Sequence, residues 1–221
     1  MIAKSLINEY IPPLRTSDTG KEALQHMEIF KVSHLPIVNN LILLGIISEN
    51  DIYNLNDPEQ PLGNHKLELN NAYVYEYQHI YEVGQIFFEK DLTLIPVVKE
   101  NKEYLGCITL KDLLKGFVKI TNIEKVGSII VLEMNIRDYS LAEIARIVED
   151  ENAKILSCYI SELPDSTKIL VTLKVNLEDL TRLISSFNRF NYVVRNTFLD
   201  NSYIRQMYKE RLDYLFKYLE I

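Results

Sequence analysis

Two stretches of the sequence place a glycine, a hydroxyl side chain and a carboxylate at one shared spacing. They are Gly45-Ile-Ile-Ser48-Glu-Asn-Asp51 and Gly106-Cys-Ile-Thr109-Leu-Lys-Asp112. In each stretch the hydroxyl ends a strand-like run and opens a helix, whose free N–H groups and dipole favour an anion such as phosphate. The carboxylate on the first turn only accepts hydrogen bonds, so it suits two vicinal hydroxyls such as those of a ribose. The glycine lets backbone and ligand approach closely, so both stretches are candidate binding turns.

The same spacing also fits a purely structural role. Ser48 with Asp51, and Thr109 with Asp112, are close to capping boxes, in which a hydroxyl and an acid three residues later bond the free amides that begin a helix. The repetition does not decide between the two roles, because a repeated fold also repeats its caps.

The elements around these turns form an internal repeat. Pro36 aligns with Pro96 at an offset of 60 residues, and Gly45 aligns with Gly106 at an offset of 61. Each copy is predicted to contain an amphipathic helix (20–31 and 80–90), a short apolar strand, a polar turn, a second strand and the start of a new helix. Residues 54–70, which include two prolines and a glycine, are the predicted linker between the copies.

The pattern changes from residue 126 onwards. Alternation and helical spacing predict strands at 127–135, 153–162, 166–175 and 192–198, with helices at 141–150 and 177–190. The order β-α-β-β-α-β is that of the ferredoxin-like split unit. Residues 201–221 are predicted to form a last amphipathic helix. Its apolar stripe consists of Ile204, Met207, Tyr208, Leu212, Leu215 and Leu219.

Composition restricts the functional class. The chain has 221 residues, 47% of them hydrophobic, and a formal charge of −7, which favours a soluble globular protein and argues against nucleic acid as a partner. No apolar run approaches the roughly 20 residues of a membrane span, and the polar amino terminus is unlike a signal peptide, so a cytoplasmic protein without a membrane partner is expected.

The sequence offers no catalytic or metal-binding constellation. Cys107 and Cys158 lie in apolar runs, which predicts two buried thiols in a reducing compartment. The four histidines lack metal-binding spacing, and no nucleophile–base pattern or phosphate-cradling loop occurs. We therefore expect no catalytic residues, no metal site and no enzymatic activity.

The two copies resemble a tandem pair of cystathionine-β-synthase (CBS) domains. The resemblance rests on residues 32–38 with 45–51, and on residues 92–98 with 106–112. It implies that adenosine-containing ligands bind in two clefts between the repeats, with the ribose on the Asp and phosphates near the Ser or Thr. The adenine would be held by backbone and apolar groups of the other repeat.

Carried onto this chain, the resemblance implies two clefts with different charges. The first would join Ile11, Pro12, Val32, Ser33 and nearby His34 to Thr109, Lys111 and Asp112. The second would join Ala72, Leu92 and Thr93 to Ser48 and Asp51. Lys111 and His34 could meet phosphate charge in the first cleft, whereas Glu49 would repel it in the second. The Asp112 cleft is therefore the preferred site.

The carboxy-terminal part resembles an ACT-like domain in its order of elements. Amino-acid-binding ACT domains commonly carry a glycine in the turn after the first strand, but the turn here is Arg137-Asp138-Tyr139-Ser140. A dimerising or relay role is therefore expected. A CBS pair followed by an ACT-like unit is similar in architecture to the acetoin-utilisation regulatory proteins of bacteria.

These observations predict a mixed α/β and α+β chain. The expected parts are CBS repeat 1 (1–60), CBS repeat 2 (61–122), a ferredoxin-like βαββαβ ACT-like domain (123–199) and a carboxy-terminal helix (200–221). No cofactor is required, and AMP, ADP, ATP or another adenosyl molecule is the expected regulatory ligand. The expected partners are a second copy of the chain, in a homodimer, and an unidentified protein that receives the signal. The alternative hypothesis is a dimeric assembly module whose clefts bind no ligand.

Overall fold

The computed structural model describes residues 1–164 and 166–199, and the chain divides into two units, Met1–Ile120 and Thr121–Ile221. The helix predicted over 200–221 lies outside the described residues. The first unit contains α1 (Gly20–Phe30), β1 (His34–Asn39), β2 (Ile42–Ser48), α2 (Glu49–Tyr53), β3 (Val74–Tyr75), α3 (Ile80–Lys90), β4 (Leu94–Val98), β5 (Tyr104–Thr109) and α4 (Leu110–Ile120). The second contains β6 (Ser128–Asn135), α5 (Leu141–Asp150), β7 (Ile155–Glu162), β8 (Lys168–Val175), α6 (Thr181–Arg189) and β9 (Val193–Phe198).

The repeat predicted from the sequence is visible in the first unit. In each copy an amphipathic helix, begun by a capping box at Thr19 or at His79, leads into an antiparallel strand pair. His34 lies opposite Ser48 in the first pair, and Leu94 lies opposite Thr109 in the second. The strand registers therefore set the beginning of the first strand beside the hydroxyl that opens the next helix.

The two repeats exchange their leading segments. Asn8, ahead of the first α-helix of repeat 1, bridges Cys107 in β5 of repeat 2, and its N–H donates to the Cys107 carbonyl at 2.7 Å. Asn70, ahead of the first α-helix of repeat 2, bridges Ile46 in β2 of repeat 1 through two backbone hydrogen bonds of 2.9 and 3.0 Å. Each segment therefore extends the sheet of the other repeat.

The buried cores show the same exchange. Ala3 and Leu6 from the amino terminus and Ile46 from β2 are buried with the side chains of repeat 2. Leu94 and Cys107 from repeat 2 are buried with those of repeat 1. Each repeat therefore contributes apolar side chains to the core of the other.

The second unit is a four-stranded antiparallel sheet with the order β7-β8-β6-β9. Alternate residues of β6 and β8 are buried together with residues of α5 and α6, so both helices pack on one face of the sheet. The helix predicted at 177–190 begins only at Thr181. The Asp179 carboxylate accepts bonds from the Thr181 N–H at 2.9 Å and hydroxyl at 2.6 Å, which keeps the preceding residues in a turn.

One of the two thiols departs from the prediction of buried cysteines. Cys107 is buried in β5 as predicted, but Cys158 is exposed. Cys158 lies on β7, which is an edge strand of the four-stranded sheet and is largely exposed beyond its first three residues. An apolar run alone does not distinguish an edge strand from a central one.

Candidate functional site

Asp112 lies in the first turn of α4 and is held by three donors. Its Oδ2 accepts from the Thr109 hydroxyl at 2.6 Å, from the Thr109 N–H at 3.4 Å and from Asn8 Nδ2 at 2.9 Å. The Asp112 N–H donates back to Thr109 Oγ1 at 3.1 Å. The capping arrangement is therefore present, and the bond from Asn8 fixes the carboxylate further.

The surroundings keep Asp112 ionised. Its side chain is only 14% exposed, and Lys115 Nζ lies 3.6 Å from Oδ1. Burial alone would raise the pKa of this carboxyl, but the hydrogen bonds from Thr109 and Asn8 and the Lys115 charge together hold the pKa below its ordinary value. Asp112 is thus a fixed acceptor at neutral pH. Among the residues that the structure describes, Lys115 is the one contact of its Oδ1, at 3.6 Å.

A cavity of about 180 Å³ lies beside Asp112. It is bounded by the amino-terminal segment and by one face of α4, where Asp112, Lys115 and Lys119 follow one another at helical spacing. Its lining residues are Met1, Ser5, Leu6, Ile7, Asp112, Lys115, Gly116 and Lys119. The cavity thus combines one carboxylate with two ammonium groups.

The equivalent turn of repeat 1 is more open. Asp51 Oδ2 accepts from the Ser48 hydroxyl at 2.6 Å and from the Ser48 N–H at 2.8 Å, which forms a capping box. Asp51 is exposed. Asn70, which occupies the position of Asn8, accepts from the Ala72 N–H at 2.9 Å, as Asn8 does from the Tyr10 N–H at 3.0 Å. Within the described residues, only the Asn8 copy also bonds the carboxylate.

The loops that precede β1 and β4 meet each other. The Ser33 N–H donates to Thr93 Oγ1 at 3.0 Å, and His34 Nδ1 lies 3.0 Å from the same oxygen. The Thr93 N–H points at His34 Nδ1 at 3.3 Å, so this nitrogen accepts and the ring proton belongs on Nε2. Burial lowers the pKa of His34, although the charges of Asp51 and Asp91 act in the opposite direction. His34 is thus neutral, and it lies beside Ser48 and not in the Asp112 cavity.

The structure does not gather the residues of either predicted cleft into one pocket. Val32 and Ser33 line a cavity of about 570 Å³ between α1 and α2, and Leu92 lines one of about 480 Å³ between α3 and α4. Ile11 is part of the buried core of repeat 1, and Ala72 is partly buried against that of repeat 2. Pro12 and Lys111 are exposed. Thr109 and Asp112 lie together and share a hydrogen bond between their side chains.

Three polar residues at the Asp112 site were missed by sequence reasoning. Asn8 could have been found as a repeated signal, because Ile7-Asn8 and Leu69-Asn70 lead into the two copies with the same turn. Lys115 and Lys119 could have been found from their helical spacing to Asp112.

Within residues 1–164 and 166–199, none of the helices combines the length and apolarity that crossing a bilayer requires. In the same residues, no three histidine, cysteine or carboxylate side chains converge where a metal ion could bind.

Comparison with known proteins agrees with the repeat. Residues 3–56 and 68–119 match the model of the CBS domain family. An uncharacterised protein of Methanocaldococcus jannaschii is 26% identical over 113 residues, which are 51% of this chain and 43% of that protein. The match thus spans less than half the length of that relative.

Two solved structures each match about half of the chain. A CBS domain pair/ACT domain protein from Thermotoga maritima shares 23% identity with a TM-score of 0.49, over 54% of this chain and 98% of that one. CBSX2 in complex with AMP shares 17% identity with a TM-score of 0.46, over 54% of this chain and 97% of that one. With the family match and the duplicated fold, residues 3–56 and 68–119 are a tandem pair of CBS domains.

Proposed function

We propose that the CBS pair is a regulatory sensor that binds an adenosine-containing nucleotide at Asp112. The observation that carries this proposal is the arrangement of the Asp112 carboxylate. Oδ2 is positioned by Asn8 and Thr109, while Oδ1, 3.6 Å from Lys115, keeps acceptor capacity, and Asp112 and Lys115 both line the cavity. A preorganised, ionised carboxylate of this kind suits the paired hydroxyls of a ribose.

The charges around the cavity support a phosphate group on the same ligand. Lys115 and Lys119 line the cavity together with Asp112. One small ligand in this cavity could therefore contact both the carboxylate, through its hydroxyls, and the two ammonium groups. At about 180 Å³ the cavity is smaller than the roughly 300 Å³ at which small-molecule pockets begin. It would therefore hold the ribose and phosphate portion, with the adenine outside it.

Asp112 is favoured over Asp51 for two reasons. Asp51 is exposed, so water competes for its oxygens. Its neighbour Glu49 is a second carboxylate, whose oxygen accepts a bond from the Tyr53 hydroxyl at 2.9 Å, and it would repel phosphate. These contrasts support a single preferred site.

The test is calorimetric titration of the purified chain with AMP, ADP, ATP, cyclic di-AMP and S-adenosylmethionine. One of them should bind, and Asp112→Ala should weaken it ten- to a hundredfold, or about 1.5–3 kcal/mol. Asp51→Ala is the matched control, because it removes the equivalent helix cap and should change affinity less. Thermal unfolding of both variants checks the cap loss of about 0.5–2 kcal/mol.

If none of the five ligands gives a heat of binding with folded protein that is free of bound nucleotide, the proposal of a nucleotide sensor is refuted and the assembly module is favoured. Equal losses at Asp112 and Asp51 would refute the preference for one site.

We also propose the limits 1–60 and 61–122 for the CBS repeats and 123–199 for an ACT-like domain that relays the signal. The antiparallel order β7-β8-β6-β9 with two helices on one face supports the ACT-like proposal. A non-enzymatic, cytoplasmic homodimer that acts on another protein completes the proposal.

A further inference from the structure

The outer face of the four-stranded sheet, which lies away from α5 and α6, carries apolar side chains on its two central strands. Residues of β6 and β8 alternate between the core and this face. Ile129, Val131 and Leu170 belong to the outer face and are partly exposed. None of the three is part of the core that the sheet forms with the two helices. A sheet with one face in water usually alternates apolar with polar residues, so β6 has the pattern of a strand that is covered on both faces.

The strand registers join these side chains into one diagonal stripe. Ile129 lies opposite Phe198 of β9, which is 57% exposed. Val131 lies opposite Thr172 of β8, and Leu170 follows Thr172 on the same face because it is two residues away in the strand. The stripe therefore runs from Phe198, at the end of β9, across β6 to Leu170.

The chain continues from the end of this stripe into residues 200–221. Asp200, Asn201 and Ser202 are residue types that favour a turn and the start of a helix, and the predicted amphipathic pattern follows them. A helix over 203–220 would be about 27 Å long, and the eight residues of β6 span about 26 Å. The predicted helix therefore has the length that is needed to cross the sheet once along its strands.

The charges of residues 200–221 also favour a protein surface as the binding partner of their apolar residues. A helix that lies on a membrane surface has a strongly basic polar face. Here the charges cancel, because four basic and four acidic side chains are present. They are Arg205, Lys209, Arg211 and Lys217, and Asp200, Glu210, Asp213 and Glu220.

We propose that residues 203–220 form a helix that packs across the outer face of the sheet of the same chain. Ile204 lies over Ile129 in this arrangement, and Tyr208 lies over Val131. The spacing supports this pairing, since residues four apart in a helix are separated by about 6 Å along its axis and residues two apart in a strand by about 7 Å. The sheet is then enclosed between two helical layers, and its outer apolar side chains are buried.

The short connection favours the face of the same chain over that of a second copy. Only residues 199–202 separate the end of β9 from the proposed helix. A segment attached through so short a linker meets its own face at an effective concentration of about millimolar. This inference is independent of the nucleotide site, because all of its residues follow the CBS pair.

The first test uses tryptophan fluorescence, because the chain contains no tryptophan of its own. Tyr208→Trp places the probe on the apolar stripe, and Gln206→Trp is the matched control on the opposite side of the predicted helix. Emission from Tyr208→Trp should lie at shorter wavelength and should be less quenched by acrylamide than emission from Gln206→Trp. It should not depend on protein concentration. Circular dichroism confirms that both variants are folded.

A change on the sheet should release the probe. Adding Val131→Lys to Tyr208→Trp should move the emission to longer wavelength and increase quenching. Adding Ser185→Lys, at an exposed residue of α6 on the other side of the sheet, should change neither. The proposal is overturned if the probe at position 208 is exposed to solvent, or if Val131→Lys leaves it buried. Burial that develops only as the protein concentration rises would assign the face to a second copy and would also overturn it.

The second test is disulfide cross-linking in a Cys158→Ser background. Val131→Cys with Tyr208→Cys should give a disulfide within one chain under mild oxidation. Val131→Cys with Gln206→Cys is the matched control and should not. Mass spectrometry of the non-reduced protein separates links within a chain from links between chains. Equal linking in the two variants, or links between chains only, would overturn the proposed arrangement.

Discussion

Asn8 and Asp112 are 104 residues apart in sequence, yet their side chains share a hydrogen bond of 2.9 Å. We expect Asn8→Ala to raise the pKa of Asp112, because a donor to the charged form is lost. Nucleotide affinity should fall about tenfold, since bonds to charged groups contribute roughly 1.5–3 kcal/mol. Carbon-detected NMR titration of the carboxyl and calorimetry are the measurements. Asn70→Ala is the control, and equal effects at the two positions would contradict the assignment.

His34 should make folding stability depend on pH. Burial lowers its pKa in the folded chain from 6.5, while Asp51 and Asp91 oppose the shift. The unfolded chain therefore takes up this proton at a higher pH than the folded chain does. The stabilisation is fully present above about pH 6.5 and is lost as the pH falls through the lower pKa of the folded state.

The measurement for His34 is the free energy of unfolding by urea at several pH values between about 5 and 8. The wild type should lose stability towards the acidic end. His34→Asn keeps an acceptor for Thr93 but does not titrate, so it should show a weaker dependence. Equal pH dependence in the two proteins would show that His34 is not the group responsible.

Local spacing identified Thr109 with Asp112 and Ser48 with Asp51, because each pair is joined within one helical turn. It could not identify Asn8, because that contact depends on which strand the amino-terminal segment joins. The resemblance to CBS domains placed His34 near the Asp112 cleft, whereas strand register places it opposite Ser48. Sequence reasoning therefore fails for the side chains whose positions in the site depend on which strands pair in the folded chain.

At the scale of elements, the glycines of the second strands are required by the exchanged segments. Gly106 has a φ of +149°, and a Cβ there would lie 2.5 Å from Ile7 Cγ2. Gly106→Ala should therefore reduce the free energy of unfolding by about 1–3 kcal/mol. It should also weaken nucleotide binding, because Ile7 precedes Asn8.

Urea unfolding and calorimetry measure the two effects of Gly106→Ala. Adding Ile7→Ala should recover the part of the loss that comes from the steric contact, and the part due to the positive φ should remain. A fully stable Gly106→Ala variant would show that the segment does not pack against β5 as described.

Helices with strong periodicity were predicted closely, as α1 and α3 show, because amphipathic spacing and capping residues agree there. The start of α6 was predicted four residues too early, since Asp179 captures Thr181 in a turn. The exposure of Cys158 was missed because an edge strand and a central strand read alike in sequence.

At the scale of the whole molecule, the described residues of each unit form buried apolar cores of their own. One core is made of side chains from the sequence range 130–192, and the two others are made of side chains from the range 3–113. We therefore expect the fragments 1–120 and 121–221 each to fold alone. Circular dichroism and urea unfolding of each fragment should show native-like secondary structure and one cooperative transition. An unstructured 121–221 fragment would contradict this expectation.

The exchange of leading segments within residues 1–120 has a consequence for how such a pair could arise. A single repeat would have to obtain the segment beside its second strand from another molecule, so its fold would depend on protein concentration. Joining two repeats in one chain supplies each segment at an effective concentration of about millimolar. Tandem duplication thus converts an association between molecules into a folding event within one.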